Sequence, residues 1–194
     1  MPNTKPRFIA ATASARRHKI LNNLGVDFEV FITHCDEVHH ERDAIGTVAL
    51  NAVAKWREAV GKLGDTAWIL AADTVVEFEG RCIGKPIDFD DARRMLMGFS
   101  GKRQTVFTAV AMSRPCHTAP DLRIVASSVL FKEYDLATAE RYLVDANVLD
   151  RAGAYDVDTM SGPIVGGWTG SYTNIMGLPE EVVRDWLNAN GWLD

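Results

Sequence analysis

Cysteine is scarce: Cys35, Cys82 and Cys116 are scattered along 194 residues, and no two form a C-x-x-C pair. That excludes a disulfide scaffold and a cysteine-ligated zinc site, and it points to reduced thiols in a cytoplasmic protein. Excess positive charge is missing too. Lys and Arg number 21 against 26 Asp and Glu, for a net charge of −5 and a pI near 5.5. This argues against a general nucleic-acid binder, while a small anionic ligand needs only a local basic cluster. No apolar run is long enough to span a bilayer. The opening residues, MPNTKPRFIAATASARR, lack the long apolar core of a secretory signal.

Two catalytic signatures are also absent. Residues 80–85 approach a Walker A loop, but the glycine spacing is one residue short and Pro86 stands where a metal-binding Ser or Thr belongs. Neither Ser14 nor Ser171 lies in a G-x-S-x-G elbow, so nothing supports a serine hydrolase. His39 and His40 lack the helical i, i+4 pairing of a zincin, and the polar stretch that holds them reads as a solvated loop.

What the chain does have is a 47% hydrophobic content, enough for a sizeable core in one domain. Its organising stretch is ILAADTVVEFEGRCIGKP, residues 69–86. The apolar run 67–72 reads as a buried strand that delivers Asp73 at its end. Val75, Val76 and Phe78 extend it, Glu79-Gly80 is a turn signal, and the return arm leads to Gly84-Lys85-Pro86. A hairpin of that length brings Lys85 back towards Asp73. A carboxylate and an ammonium so placed suit a metal-phosphate substrate, although the pair alone reads more readily as a surface salt bridge.

Before this hairpin, residues 7–11 form a first strand, Thr12-Ala13-Ser14 a small-residue turn, and Ser14 the cap of a helix that ends at Gly25. Arg16 and Arg17 sit in the first turn of that helix. Cations there oppose the helix dipole, which favours an anion site over a solvated basic turn. Residues 27–32 read as a second strand. In the polar stretch that follows, Glu37 is a candidate ligand for a hard cation. Residues 47–60 read as a helix capped by Thr47, with Val48, Ala52, Val53, Trp56 and Val60 inward and Lys55 snorkelling beside them. Further helices are expected at 88–99, 136–143 and 179–190, and strands at 105–112 and 124–131. Between 153 and 179 the chain is rich in glycine and reads as turns and close approaches.

Taken in order, these pieces resemble the Maf family of nucleoside triphosphate pyrophosphatases. The resemblance rests on Thr12-Ala13-Ser14-Ala15-Arg16-Arg17 and on Ala72-Asp73-Thr74-Val75-Val76. It continues through Gly84-Lys85-Pro86, Asp91-Ala92, Met95-Leu96 and Ser100-Gly101. Ala152-Gly153-Ala154-Tyr155, Gly170-Ser171-Tyr172 and Gly177-Leu178-Pro179 complete it, so that it covers residues 7–187. It implies an α/β fold with a mixed sheet flanked by helices and a cleft between two lobes, in a single domain over residues 1–194. It further implies hydrolysis of a nucleoside triphosphate to monophosphate and pyrophosphate with a divalent cation, Mg2+ or Mn2+. Asp73 matches the family's catalytic acid. Arg17, Glu37, Lys55 and Lys85 match its charged cleft residues, with Glu37 and Asp73 holding the cation. Ser14, Arg16, Arg17, Lys55, Thr74 and Asp158 fall at substrate-binding positions, and Lys85 joins Asp73 in the catalysis. The implied partner is a nucleoside triphosphate, not nucleic acid or membrane, and a homodimer stays open.

Thr12 stands where the family usually has serine, and Ala15 replaces the usual proline. Arg16 and Thr74 resemble the members that act on dTTP and UTP. Asp158 departs from them, occupying the position of a glutamine, and an anionic carboxylate cannot donate a hydrogen bond as an amide can. A purine or methylated-guanine triphosphate therefore stands as an alternative substrate, and a nucleotide-binding regulator of division without turnover as an alternative function.

Overall fold

A computed structural model describes residues 6–145, 149, 151–157 and 162–193. Among these, seven strands form one mixed sheet flanked by six helices. The chain opens with β1 (Phe8–Ala11), α1 (Ala15–Asn23), β2 (Glu29–Val30) and α2 (Ala44–Leu63). Then come β3 (Trp68–Phe78), β4 (Arg81–Ile83), α3 (Phe89–Phe99), β5 (Arg103–Ser113) and β6 (Asp121–Phe131). The rest is α4 (Leu136–Asp145), a 3-10 turn at Ala152–Ala154, β7 (Val165–Thr169), α5 (Tyr172–Ile175) and α6 (Glu180–Ala189).

The sheet order is β2-β1-β3-β5-β6-β7, with β4 paired to the outer half of β3. β1 lies parallel to both β2 and β3, whereas β3, β5, β6 and β7 run antiparallel. Parallel neighbours require crossovers, and α1 and α2 supply them. Alternation along the strands then sorts the core. Phe8, Ala10, Leu70 and Ala72 face Ile20 and Leu21 of α1 and Val183, Trp186 and Leu187 of α6. Ile9, Ala11, Ile69 and Ala71 face Val48, Ala52, Trp56 and Ala59 of α2. Both faces are covered, which is why these strands read as unbroken apolar runs. A third cluster, towards the far end of β3, joins Val76, Leu96, Phe99, Val129, Phe131 and Tyr155 under α3 and α4.

Four sequence expectations change. Asp73 is not at a strand end but near the middle of β3, whose pairing to β5 continues from Ile69 to Glu77. The second strand shrinks to Glu29–Val30, and residues 31–40 have no regular structure. Asp43 rather than Thr47 caps α2, its Oδ1 accepting from the Gly46 N–H at 2.8 Å. The glycine-rich C-terminal region contains both β7 and the short α5. Glycine and small polar residues mask the period-two signal of so short a strand.

Candidate active site

A cleft of about 730 Å³ opens where β1 meets α1, and it is lined by residues 12–17, Ile32, Thr33, Glu37, Lys55, Lys85 and Arg151. That volume is in the range of small-molecule sites. One wall is the turn between β1 and α1. Ser14 caps the helix, its hydroxyl accepting from the Arg17 N–H at 3.5 Å, while its own N–H donates to Thr12 Oγ1 at 3.2 Å. The first turn of α1 thus borders the cleft, and its end carries partial positive charge.

Lys55 and Glu37 line this cleft and form an ionic triad with the buried Asp73. Lys55 Nζ lies 2.7 Å from Asp73 Oδ1 and 3.0 Å from Glu37 Oε1. Asp73 is 7% exposed and Lys55 8%, so the lysine does not snorkel: its ammonium turns inward and covers the aspartate. An unpaired buried carboxylate costs several kcal/mol, and this one is fully bonded because Asn51 Nδ2 donates to Oδ2 at 3.1 Å. Glu37 is more exposed and comes from the irregular segment between β2 and α2.

That segment is held by side chains of α2 instead of a strand ladder. Glu58 Oε2 accepts from the His34 and Cys35 N–H groups at 2.7 and 2.8 Å. Asn51 accepts from Val38 N–H at 2.8 Å and donates to Val38 C=O at 3.0 Å. Thr47 Oγ1 accepts from His40 N–H at 3.2 Å. Residues 47, 51, 55 and 58 form one stripe of the helix. Burial pushes the Cys35 thiol above its ordinary pKa, and the Glu58 carboxylate adds to the effect.

Arg17 lines the cleft, but most of its guanidinium is engaged by the chain. Nε donates to Gly177 C=O at 2.7 Å, Nη1 to Ala72 C=O at 2.9 Å and Thr12 Oγ1 at 3.2 Å, and Nη2 to Thr74 Oγ1 at 2.9 Å. Burial lowers its pKa, partly offset by Asp73. Thr74 continues the chain of bonds to Thr108 Oγ1 at 2.9 Å, and Thr108 donates to Asn174 C=O at 3.1 Å. Gly177 has φ +104, and an added Cβ would meet Arg17 Nε and Thr74 Oγ1 at 3.5 Å each. Arg17 thus lines the cleft and also ties together α1, β3 and the segment before α6.

Lys85 is exposed on the cleft wall, two residues beyond Ile83, which pairs with Val76. Arg16 lies 3.8 Å from Asp156, a buried carboxylate that also pairs with Arg151. These residues border a smaller cavity with Thr74, Val76, Tyr155 and Ile175. Asp158 lies outside the described residues. Asn51, Arg151 and Asp156 escaped the sequence reading. Asn51 had a signal, since it falls four residues before Lys55 on the predicted inward side of a helix.

Among the described residues no three His, Cys, Asp or Glu side chains cluster as metal ligands. Two carboxylates bridged by an ammonium remain. This donor set fits a hard cation that keeps water and takes its other ligands from phosphate, as Mg2+ does.

The chain belongs to the Maf-like protein family, which matches residues 7–190. It is 35% identical to a dTTP/UTP pyrophosphatase of Syntrophus aciditrophicus, over 96% of this chain and 91% of that protein. A protein of the same name from Dictyoglomus thermophilum is 34% identical over 97% of this chain and 98% of its own. Another, from an Anaeromyxobacter species, is 37% identical over 95% and 90%.

Proposed function

We propose that this chain is a nucleoside triphosphate pyrophosphatase, a single two-lobed domain that hydrolyses dTTP, UTP or a related nucleotide to monophosphate and pyrophosphate. The observation that supports this most is the Glu37–Lys55–Asp73 triad at a cleft walled by a helix N-terminus and Lys85. The names of the similar proteins point the same way. Arg16 lines both the cleft and the smaller cavity and Thr74 lines the smaller cavity, where they would contact the base or sugar.

Glu37 and Asp73 would hold Mg2+ or Mn2+, which when bound offsets phosphate charge and makes coordinated water more acidic. Lys55 bridges the two carboxylates, and with a cation held there its ammonium would turn to the phosphates, beside Lys85 and the first N–H groups of α1. Asp73, relieved of that ion pair, would orient the water and accept its proton. Water adds at the α–β anhydride and loses its proton to Asp73. The bridging P–O bond breaks, and its electron pair leaves with pyrophosphate. Arg17, fixed from beneath, keeps the wall in place and contributes a charge that need not move.

The test is product analysis with Mg2+ or Mn2+ over a panel of pyrimidine and purine triphosphates. Monophosphate and pyrophosphate in equal amounts are expected, with pyrimidines preferred. Orthophosphate with accumulating diphosphate overturns the assignment.

A further inference from the structure

Asn51 is 3% exposed and makes three hydrogen bonds, none of them within its own helix. Its Oδ1 accepts from Val38 N–H, and its Nδ2 divides two hydrogens between Val38 C=O and Asp73 Oδ2. The amide orientation is forced, because the opposite one would set an oxygen against both Val38 C=O and the Asp73 carboxylate. Val38 is the residue after Glu37. One side chain therefore grips the backbone beside one acidic residue with two bonds and the other acidic residue directly.

We propose that Asn51 is a positioning residue that sets the spacing and aim of Glu37 and Asp73 for their shared cation. The inference rests on reading the cleft as a metal-assisted pyrophosphatase site. No strand ladder fixes Glu37, and among the described α2 side chains that bond the backbone of its segment Asn51 is the one that also touches Asp73. By donating to Oδ2, Asn51 fixes the carboxylate plane and leaves Oδ1, the oxygen under Lys55, to face the cation or water. Partners of this kind, bonded to a ligand and not to the metal, typically change metal affinity or activity by about 10- to 100-fold when removed.

The experiment compares wild type, Asn51→Ala and Glu58→Ala. Glu58→Ala loosens the same segment without touching Asp73. Mn2+ alone is titrated against each protein by electron paramagnetic resonance, and the Mn2+ concentration for half-maximal turnover is measured with saturating dTTP. Asn51→Ala should weaken Mn2+ binding about 10- to 100-fold and raise the half-maximal concentration alike, while kcat at saturating Mn2+ falls less than about tenfold. Glu58→Ala should shift either value by less than a third as much. Equal Mn2+ occupancy of wild type and Asn51→Ala at every concentration, including none in both, overturns the proposal. So does an equal shift in Glu58→Ala, or a kcat loss that Mn2+ does not repair. If Asn51→Ala does not fold by thermal melting, Asn51→Ser is read by the same criteria. Absence of pyrophosphate release by wild type would overturn the functional reading, while the Mn2+ titration still decides the role of Asn51.

Discussion

Lys55, which lines the cleft, reaches the buried Asp73, Nζ to Oδ1 at 2.7 Å, and in doing so occupies the place between two carboxylates that a divalent cation would take. The ammonium is the counterion of the resting site and, on the proposed function, would compete with the metal. A lysine in this position offsets the charge of the buried carboxylate without substrate, and arriving phosphate charge would draw it away.

Lys55→Met should therefore separate the two roles. Turnover is expected to fall by at least about 10²-fold, the scale for losing one preorganised charged donor. Mn2+ binding without nucleotide should tighten, because the internal competitor has gone. Calorimetry or electron paramagnetic resonance on the variant checks this, and weaker Mn2+ binding would contradict it.

Asp73→Asn removes charge and basicity at nearly constant size. Lys85, Lys55 and the first turn of α1 remain to bind the triphosphate, so affinity should hold or improve. Turnover should drop by at least about 10²-fold. The amide cannot accept from both Lys55 and Asn51, so a modest fall in melting temperature is expected too. Equilibrium binding and single-turnover rates on the same variant check both.

Arg17→Ala and Lys85→Ala should differ, although sequence alone casts them as equals. Lys85 is exposed, and its loss should lower turnover by roughly 10²–10³-fold with no change in denaturation midpoint. Loss of Arg17 leaves the Ala72 carbonyl without this donor and the Gly177 carbonyl with only the 3.4 Å bond from Thr74 Oγ1. With each unsatisfied buried group costing about 1–3 kcal/mol, Arg17→Ala should destabilise the fold by at least about 2 kcal/mol. Urea denaturation of the two variants side by side checks this.

Acid stability should report two helix starts. The Ile87 N–H and then Arg94 hold Asp91 below the ordinary carboxylate pKa, and bonds from the Thr138 hydroxyl and N–H do the same for Asp135. A depressed carboxylate contributes stability that is complete above its unfolded pKa and is lost as pH falls through its folded one. The melting-temperature gap between wild type and Asp135→Ala should thus be constant above about pH 5 and close as the pH falls below the ordinary carboxylate range, about pH 4. A gap that widens in acid would contradict the assignment.

Much of this was legible in the chain. The inward residues of α3 and α6 follow from their 3.6 period, since Ala92, Leu96 and Phe99, and Val183, Trp186 and Leu187, are buried. The hairpin that carries Asp73 and leads to Lys85 was legible from turn and strand signals around Glu79-Gly80. The ends of β3 were not, because an aspartate and a threonine inside an apolar run look like its termination. Here Asp73 is kept in the strand by bonds from two side chains of α2, which local pattern does not carry. The same limit hid Asn51, whose partners lie 13 and 22 residues away. The structural tie made by Arg17 was hidden for a like reason, its farthest acceptor being 160 residues along the chain.

That last separation has a consequence for how the protein is made. The carbonyl of Gly177 and the apolar side of α6 complete the surroundings of β1 and α1, yet Gly177 lies 160 residues after Arg17. During synthesis Phe8 and Leu21 lack that cover until α6 has left the ribosome. Contacts between such distant partners close slowly. β1 and α1 are thus sealed well after they are made, and their exposure to chaperones and proteases lasts as long as synthesis of the stretch between.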